Sequence, residues 1–276
     1  MYNPLPKYLG VTLDRSLTFK SHIEKLCLKI NSRINIIHKL VGSGWGASPD
    51  TLRTSARSLV FSTAEYCSPV WRGSHHVHKV DVKLNQTMRV ISGTVKTTPT
   101  VWLPVLSHIA PPDLRRSRKT AKLFDRCFRH GHSMLLDELN SRPSQRLESR
   151  NFIWNDVSLL SQFNISDKWR ERWTDTAVCN YHLIQDPNVF PPGFDLPRIA
   201  WLKLKRIRTG HGRCNSCLFK WKLVDSAACD CGCNDQTMMH IVTSCSLRRF
   251  AGSLEELSNV ETGRAKDYLM CLGLML

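Results

Sequence analysis

Apolar residues recur at helical spacing through the first hundred positions. Between residues 16 and 41, Phe19, Ile23, Leu26, Ile30, Ile34, Ile37 and Val41 fall three or four apart and draw one continuous stripe, which predicts an amphipathic helix. Lys20, Lys25, Lys29, Arg33 and Lys39 occupy its other faces, and Gly42-Ser43-Gly44 marks its end. Ser48-Pro49 supplies a cap and a first-turn proline for a second helix. That helix runs to about Cys67 with Leu52, Ala56, Leu59, Val60 and Ala64 inward, and Ser68-Pro69 closes it. Val80, Leu84, Met88 and Ile91 predict a third over about 77–91, and Trp102-Leu103 begins a short apolar turn. Pro111-Pro112 introduces a long basic helix over about 113–139. Residues 8–14 are instead β-rich and read as a short strand ending at a carboxylate, Asp14, placed to cap or turn. With nothing upstream to pair with, it is expected as an unsupported edge.

The pattern weakens over residues 140–200. Pro143, Pro187, Pro191, Pro192 and Pro197 indicate a linker with one weak helix, whose Trp154, Trp169 and Trp173 are expected to pack back on the helical part. A helix resumes near Arg198, with Leu202, Leu204 and Ile207 beside Lys203, Lys205, Arg206 and Arg208. A cysteine cluster and a terminal amphipathic helix from about Gly263 follow. The expected fold is mainly α, a helical bundle followed by a linker and a small knuckle-like module. Its divisions are a remnant strand at 1–16, a helical domain at 17–140, the linker at 141–198 and the Cys/His module at 199–276.

Charge adds a partner class. The 276 residues carry 39 Lys+Arg against 23 Asp+Glu, a net charge of +16. Residues 1–150 alone hold 24 basic and 10 acidic side chains, as expected of a surface that neutralises phosphates. The dense face Arg115, Arg116, Arg118, Lys119, Lys122, Arg126 and Arg129 lies on the long basic helix. The absence of a long apolar run argues against a membrane span, and the first residues do not read as a secretory signal. A nuclear or cytoplasmic location is expected.

Six of the 11 cysteines, Cys214, Cys217, Cys229, Cys231, Cys233 and Cys245, crowd into 32 residues, which points to metal rather than disulfides in an unsecreted chain. Zinc requires four thiolate or imidazole donors in a tetrahedron. A turn at Gly232 brings two thiolates together, and a helix starting near Thr237 presents His240, with Cys245 five positions on. Cys229 with Cys231 leaves only one residue between donors. Cys229 with Cys233, or recruitment of Cys214-Asn-Ser-Cys217, satisfies the usual spacing better, and the choice stays open. Three Cys and one His close the shell, so the metal would be structural, one per chain, without a catalytic position.

Catalytic signatures are missing. No Asp-Asp pair is present to hold two magnesium ions, and there is no phosphate-binding loop, nucleophile elbow or dinucleotide fingerprint. His75, His76 and His78 form a short tract that reads as a solvated loop.

Taken in order, several segments resemble one family. Residues 7–14 (Lys-Tyr-Leu-Gly-Val-Thr-Leu-Asp), Leu17-Thr18-Phe19 and His22 are similar to the segment after the polymerase palm in jockey-like non-LTR retrotransposon reverse transcriptases. Trp45-Gly46, residues 65–71 (Glu-Tyr-Cys-Ser-Pro-Val-Trp), Leu84-Asn85 and residues 88–93 resemble the helical thumb that follows. Thr98-Pro99, Leu103, Leu106, residues 109–112 and Leu114-Arg115-Arg116 continue it. Residues 208–213 then lead into a cluster that resembles the C-terminal cysteine–histidine motif of these elements.

The resemblance implies a thumb that holds RNA, DNA or an RNA–DNA hybrid by its backbone. Lys25, Lys29, Arg33, Arg115, Arg116 and Lys119 would be phosphate contacts. A knuckle ligated by Cys229, Cys231, His240 and Cys245, with Arg213, Lys220 and Arg248 nearby, would add a second basic element. Magnesium would belong to the palm upstream, so this chain alone is expected to be inactive as a polymerase. The alternatives are a domesticated, non-enzymatic nucleic-acid- or protein-binding host factor, or a remnant of a truncated element.

Overall fold

The computed structural model describes residues 4–42, 46–131, 134, 137, 163–260 and 262–273. The expectations placed on Ser43, Gly44, Trp45, Pro143 and Trp154 lie outside them. The described residues are mainly helical.

The N-terminal segment corrects the first expectation. Strand β1 (Lys7–Tyr8) pairs antiparallel with β2 (Val11–Thr12), with Lys7 opposite Thr12 and Tyr8 opposite Val11. Leu9 and Gly10 both hold positive φ, 43° and 84°, the requirement of the two-residue turn whose twist matches a hairpin. The β-rich stretch is therefore its own partner, not an unsupported edge. Asp14 caps as expected: its carboxylate accepts from Thr18 N (2.9 Å), Thr18 Oγ1 (3.0 Å) and Phe19 N (2.6 Å). Burial works against the charge, but these bonds outweigh it and hold the carboxyl below its usual range.

Helix α1 (Lys20–Lys39) buries the predicted stripe, with Ile23, Leu26, Ile30, Ile34 and Ile37 all under 7 % exposed. It begins four residues later than expected, because Asp14 holds the chain in a turn to Phe19. Ser48 Oγ accepts from Thr51 N (3.2 Å) at the start of α2 (Pro49–Ala56). The predicted second helix is then interrupted by a π segment (Arg57–Phe61) before α3 (Ser62–Ala64). Cys67 takes a left-handed conformation (φ 49°), and Ser68-Pro69 opens a short α4 (Ser68–Trp71) instead of closing a helix, since proline suits a first turn. Then come α5 (His78–Ser92), α6 (Trp102–Ser107) and α7 (Pro112–Arg129). The long basic helix stops well short of 139: His130 caps it and Gly131, at φ +58°, turns the chain out.

The residues group into two compact units. The first comprises Met1–Ile36, Ala56–Gln86 and Ala110–Trp169. In it α7 lays Leu114, Arg116, Thr120, Ala121, Phe124 and Cys127 inward. Three of its cations meet carboxylates: Arg116 grips Asp81 with both guanidinium nitrogens (2.5 and 2.9 Å), and Arg115 pairs with Glu65. Lys119 reaches the other oxygen of Glu65 at 3.2 Å.

The second unit comprises Ile37–Ser55, Thr87–Ile109 and Arg170–Leu276. Its elements after residue 163 are α8 (Ile165–Thr174, shared with the first unit), α9 (Arg198–Thr209), α10 (Asn215–Lys220), α11 (Leu254–Asn259) and α12 (Gly263–Cys271). The described part of the expected linker is packed. Trp173 stacks edge-on against Trp102 at 4.9 Å and donates from Nε1 to Ile184 O (2.6 Å), while Leu183, Ile184, Phe194 and Leu196 are buried. Trp169 is buried as well.

Helix α9 is the hub of this unit. Ala200, Trp201, Leu204 and Ile207 are fully buried within a core shared with Met238, Ile241, Leu257, Ala265 and Leu269. The basic residues set beside them are buried too: Arg198, Lys203, Lys205, Arg206 and Arg208 are each under 9 % exposed. Arg198 donates to Ile91 O (2.8 Å) and Val90 O (3.0 Å), Lys203 to Met270 O (3.0 Å), and Arg208 to Pro192 O (2.9 Å) and both oxygens of Ser258. Burial lowers Arg208 to about 9, and burial together with Arg206 lowers Arg198 to about 10.

Two predictions follow from this packing. Gly93 sits at φ +65°, and a Cβ there would lie 1.8 Å from Leu202 Cδ2. Gly93→Ala should therefore cost about 2–4 kcal/mol from strain plus overpacking, measured as a lowered urea midpoint at unchanged m-value. Lys205 Nζ lies 3.3 Å over the Trp201 ring and has no hydrogen-bond partner among the described residues. Burial, and secondarily Arg208, push its pKa well down. The unfolded chain then binds that proton more readily, so stability is greatest above the unfolded value of about 10.4 and falls as pH drops toward the lowered folded one. Lys205→Met should flatten that slope and stabilise the fold by about 1–3 kcal/mol at pH 7, read from urea midpoints between pH 7 and 10.5.

Candidate metal centre and basic cavity

Cys229, Cys231, His240 and Cys245 converge, their ligand atoms all within 4.8 Å of one another. Two local devices bring them together. The first is the turn over 229–233, closed by Cys229 N–H to Cys233 O (2.8 Å) and Gly232 N–H to Cys229 O (2.9 Å), with Gly232 at φ +89°. It places Cys229 and Cys231 in the cluster and leaves Cys233 Sγ 3.7 Å from Asp235 O. The one-residue spacing that made this pair awkward is accommodated by the left-handed glycine.

The second device is a π segment (His240–Ser244) closed by Cys245 N–H to His240 O at 2.8 Å. On an α-helix, residues five apart point about 140° away from each other. A hydrogen bond spanning five residues widens the turn and puts both on one side. Thr237 Oγ1 accepts from His240 N at 3.0 Å, so the expected start near Thr237 is present, but the turn that presents His240 is π and not α.

The spacing suits a tetrahedral ion. Two thiolates bound at about 2.3 Å to one tetrahedral centre stand about 3.8 Å apart, and Cys229 Sγ and Cys245 Sγ are 3.8 Å apart. Cys231 Sγ and His240 Nε2 are 3.2 Å apart. The four side chains can hold one metal ion and are compatible with structural zinc. Burial raises the pKa of Cys229, but donors including the Cys231 backbone and Gln236 outweigh that and bring it down to about 6. At Cys231 the Cys233 backbone bond lowers the pKa, but burial and the neighbouring Cys229 and Cys245 outweigh it and raise the value. One thiolate of the pair therefore forms ahead of the other. Cys214 differs: burial pushes it up to about 11, and its Sγ faces Gly212 O at 3.9 Å. Among the described residues, no second group of three or more His, Cys, Asp or Glu, including His75, His76 and His78, gathers in this way.

Gln236, which spacing did not single out, supports the cluster. Its Nε2 donates to Cys229 Sγ (3.3 Å), while its Oε1 and backbone O accept from Asn215 N and Ser216 N. The buried glutamine thereby ties α10 to a ligand. A glutamine beside a thiolate turn carries no sequence signal by itself. Arg248 lies 3.8 Å from Cys229 Sγ and pairs with Asp230. Arg213 and Lys220 are exposed.

The proposed phosphate contacts divide. In the first unit a cavity of about 650 Å³ is lined by Lys7, His22, Lys25, Lys29, Arg33 and Tyr66, among others. Lys25 and Lys29 are exposed, and Arg33 is half-buried. Arg115 and Arg116, expected on a cationic face, are instead engaged by Glu65 and Asp81, and Lys119 shares Glu65. Arg118, Lys122, Arg126 and Arg129 remain exposed on α7.

Comparison with known proteins gives this arrangement a context. The chain is 25 % identical over 255 residues to a putative 115 kDa protein in the type-1 retrotransposable element R1DM of Drosophila melanogaster, covering 87 % of this chain and 23 % of that protein. It is 23 % identical over 257 residues to a retrovirus-related Pol polyprotein from a type-1 retrotransposable element R1 of Nasonia vitripennis, covering 91 % and 60 %. Its homologues are Pol polyproteins of non-LTR retrotransposons. A probable RNA-directed DNA polymerase from transposon X-element of Drosophila melanogaster aligns over 146 residues at 24 % identity, 52 % of this chain and 16 % of that one. The chain thus spans less than two thirds of these Pol relatives. No family model matches, and no solved structure does. The resemblance read from the segments between residues 7 and 245 is borne out at the level of the non-LTR Pol family.

The geometry makes the ligand set testable. Cys229→Ser or Cys245→Ser should abolish stoichiometric Co²⁺ binding and its thiolate charge-transfer absorption. Cys233→Ser and Cys214→Ser should leave the stoichiometry unchanged.

Proposed function

We propose that this chain is a nucleic-acid-binding, thumb-like part of a non-LTR retrotransposon reverse transcriptase, stabilised by one structural zinc on Cys229, Cys231, His240 and Cys245. The observation that carries the reading is the basic cavity. Lys25, Lys29 and Arg33 stand four residues apart on α1 and line one concavity with Lys7, on a chain whose homologues are such polymerases. Four residues of helix advance about 6 Å, a step comparable with that between successive phosphates along one strand. Lysine and arginine contacts to phosphate position the protein without reading sequence, which suits an RNA–DNA hybrid of any sequence.

Arg115 and Arg116 are assigned to the fold, because each is drawn onto a carboxylate within the first unit. A closed shell of three thiolates and one imidazole offers no open coordination position, so the zinc belongs to stability. Chemistry is assigned to the palm of the polyprotein, where magnesium would act.

Titration of the full chain with an RNA–DNA hybrid at several salt concentrations tests this. Log affinity should fall steeply and linearly with log salt. The triple variant Lys25→Ala, Lys29→Ala, Arg33→Ala should lower the slope by about 3, roughly one per lost contact. About one zinc should be measured per chain. Affinity that ignores salt would refute the reading.

A further inference from the structure

His22 has an unusual environment. It is the third residue of α1, 7 % exposed, and part of the wall of the basic cavity. Its Nδ1 lies 3.4 Å from Thr12 N and accepts that N–H. In a neutral imidazole this places the proton on Nε2. Nε2 is buried and has no hydrogen-bond partner among the described residues. The ring is steadied from another side by Trp71, tilted at 51° with centroids 6.2 Å apart. A donor is thus fixed in direction and left unsatisfied, an arrangement that costs stability unless something completes it.

The surroundings restrict what could complete it. The partner must accept a hydrogen bond. Lys25 and Lys29, both lining the same cavity, exclude a cation and favour an anion. Burial, then Lys29 and Lys25, keep the imidazole neutral, so it contributes a directed donor and no charge. The lysines supply the charge. Ser62 and Thr63 border the cavity immediately after the π segment Arg57–Phe61, and such insertions in helices concentrate at functional sites. An anion bearing several acceptor oxygens fits this set of donors. The repeat of Lys25, Lys29 and Arg33 along α1 calls for a chain of anions in place of a single one.

We propose that His22 Nε2–H donates to a non-bridging phosphodiester oxygen of a nucleic-acid strand whose neighbouring phosphates lie along Lys25, Lys29 and Arg33. This rests on the nucleic-acid reading above and adds a neutral, directional contact to it. Phosphate held this way is fixed in position as well as attracted.

The test uses the full chain with ¹⁵N-labelled histidine and a 5′-hydroxyl RNA–DNA hybrid. The His22 Nε2 resonance should shift on hybrid addition. His22→Asn keeps an oxygen for the Thr12 N–H but loses the donor at Nε2, and His22→Phe keeps the ring against Trp71. Both should bind the hybrid about tenfold more weakly with the salt slope unchanged, because no charge is lost. Removing a lysine would lower the slope instead. Thermal melting of each variant separates lost contact from lost fold. A single methylphosphonate placed at the matching position should weaken wild type more than His22→Asn, the excess being the His22 contact.

Salt-dependent hybrid binding with an unmoved Nε2 signal and equal affinity in folded variants would overturn the His22 contact and leave the nucleic-acid reading standing. No hybrid binding by wild type at any salt would overturn both. An Nε2 shift seen with inorganic phosphate or a 5′-phosphorylated hybrid, but not with the 5′-hydroxyl hybrid, would replace the phosphodiester with a phosphomonoester and overturn the proposal as stated.

Discussion

Buried cations that find main-chain carbonyls organise the second unit. The last carbonyls of a helix have no partner within it and carry the negative end of its dipole. Helix α9 meets this need three times. Arg198 takes Val90 O and Ile91 O at the end of α5, Lys203 takes Met270 O at the end of α12, and Arg208 takes Ser258 O at the end of α11. One helix thus caps three others from its first turn, its middle and its last turn. The arrangement explains how so basic a segment is buried with few carboxylates: orphan carbonyls supply the negative charge. Lys205 shows the limit of the scheme, since among the described residues no carbonyl reaches it and the face of Trp201 offers partial compensation.

The metal cluster depends on that hub. Met238, Ile241 and Val242, which flank His240, lie in the same core as Trp201, Leu204 and Ile207. Tyr268 of α12 fixes the backbone beside the cluster by donating to Arg248 O at 2.7 Å. The apolar side of the π segment is therefore anchored while its other side presents His240. A metal ion bound by the four side chains would tie the thiolate turn to this anchored segment, so metal and core would support one geometry.

How much of this was legible in the sequence depended on whether a feature is local. The stripe from Ile23 to Ile37 needs only a 3.6-residue period, and it is where the pattern put it. The cap at Ser48, the helix from Gly263 and the gathering of cysteines are equally local. The hairpin was hidden because Leu9-Gly10 lacks the Asn-Gly or Asp-Gly signature of a two-residue turn, leaving only its β-rich flanks visible. The end of α7 was written in His130-Gly131, which the run of basic residues obscured. The π geometry at His240 has no compositional mark. It emerges from the core holding Ile241 and Val242 while Cys245 turns toward Cys229.

The harder lesson concerns charge. Net charge and its placement in the first 150 residues pointed to phosphate, but a count of cations says nothing about how many are available. Arg115 and Arg116 sit in a dense basic run, yet Glu65 and Asp81, distant in sequence, draw them into the fold. Lys25, Lys29 and Arg33 look no different on paper, and they line a cavity instead. Periodicity does not separate the two sets. What separates them is where a carboxylate returns in the folded chain. Among the described residues no carboxylate pairs with Lys25, Lys29 or Arg33, and there positive charge and the unsatisfied His22 donor share one cavity. That coincidence, more than the total of +16, is the physical reason to place a phosphate backbone there.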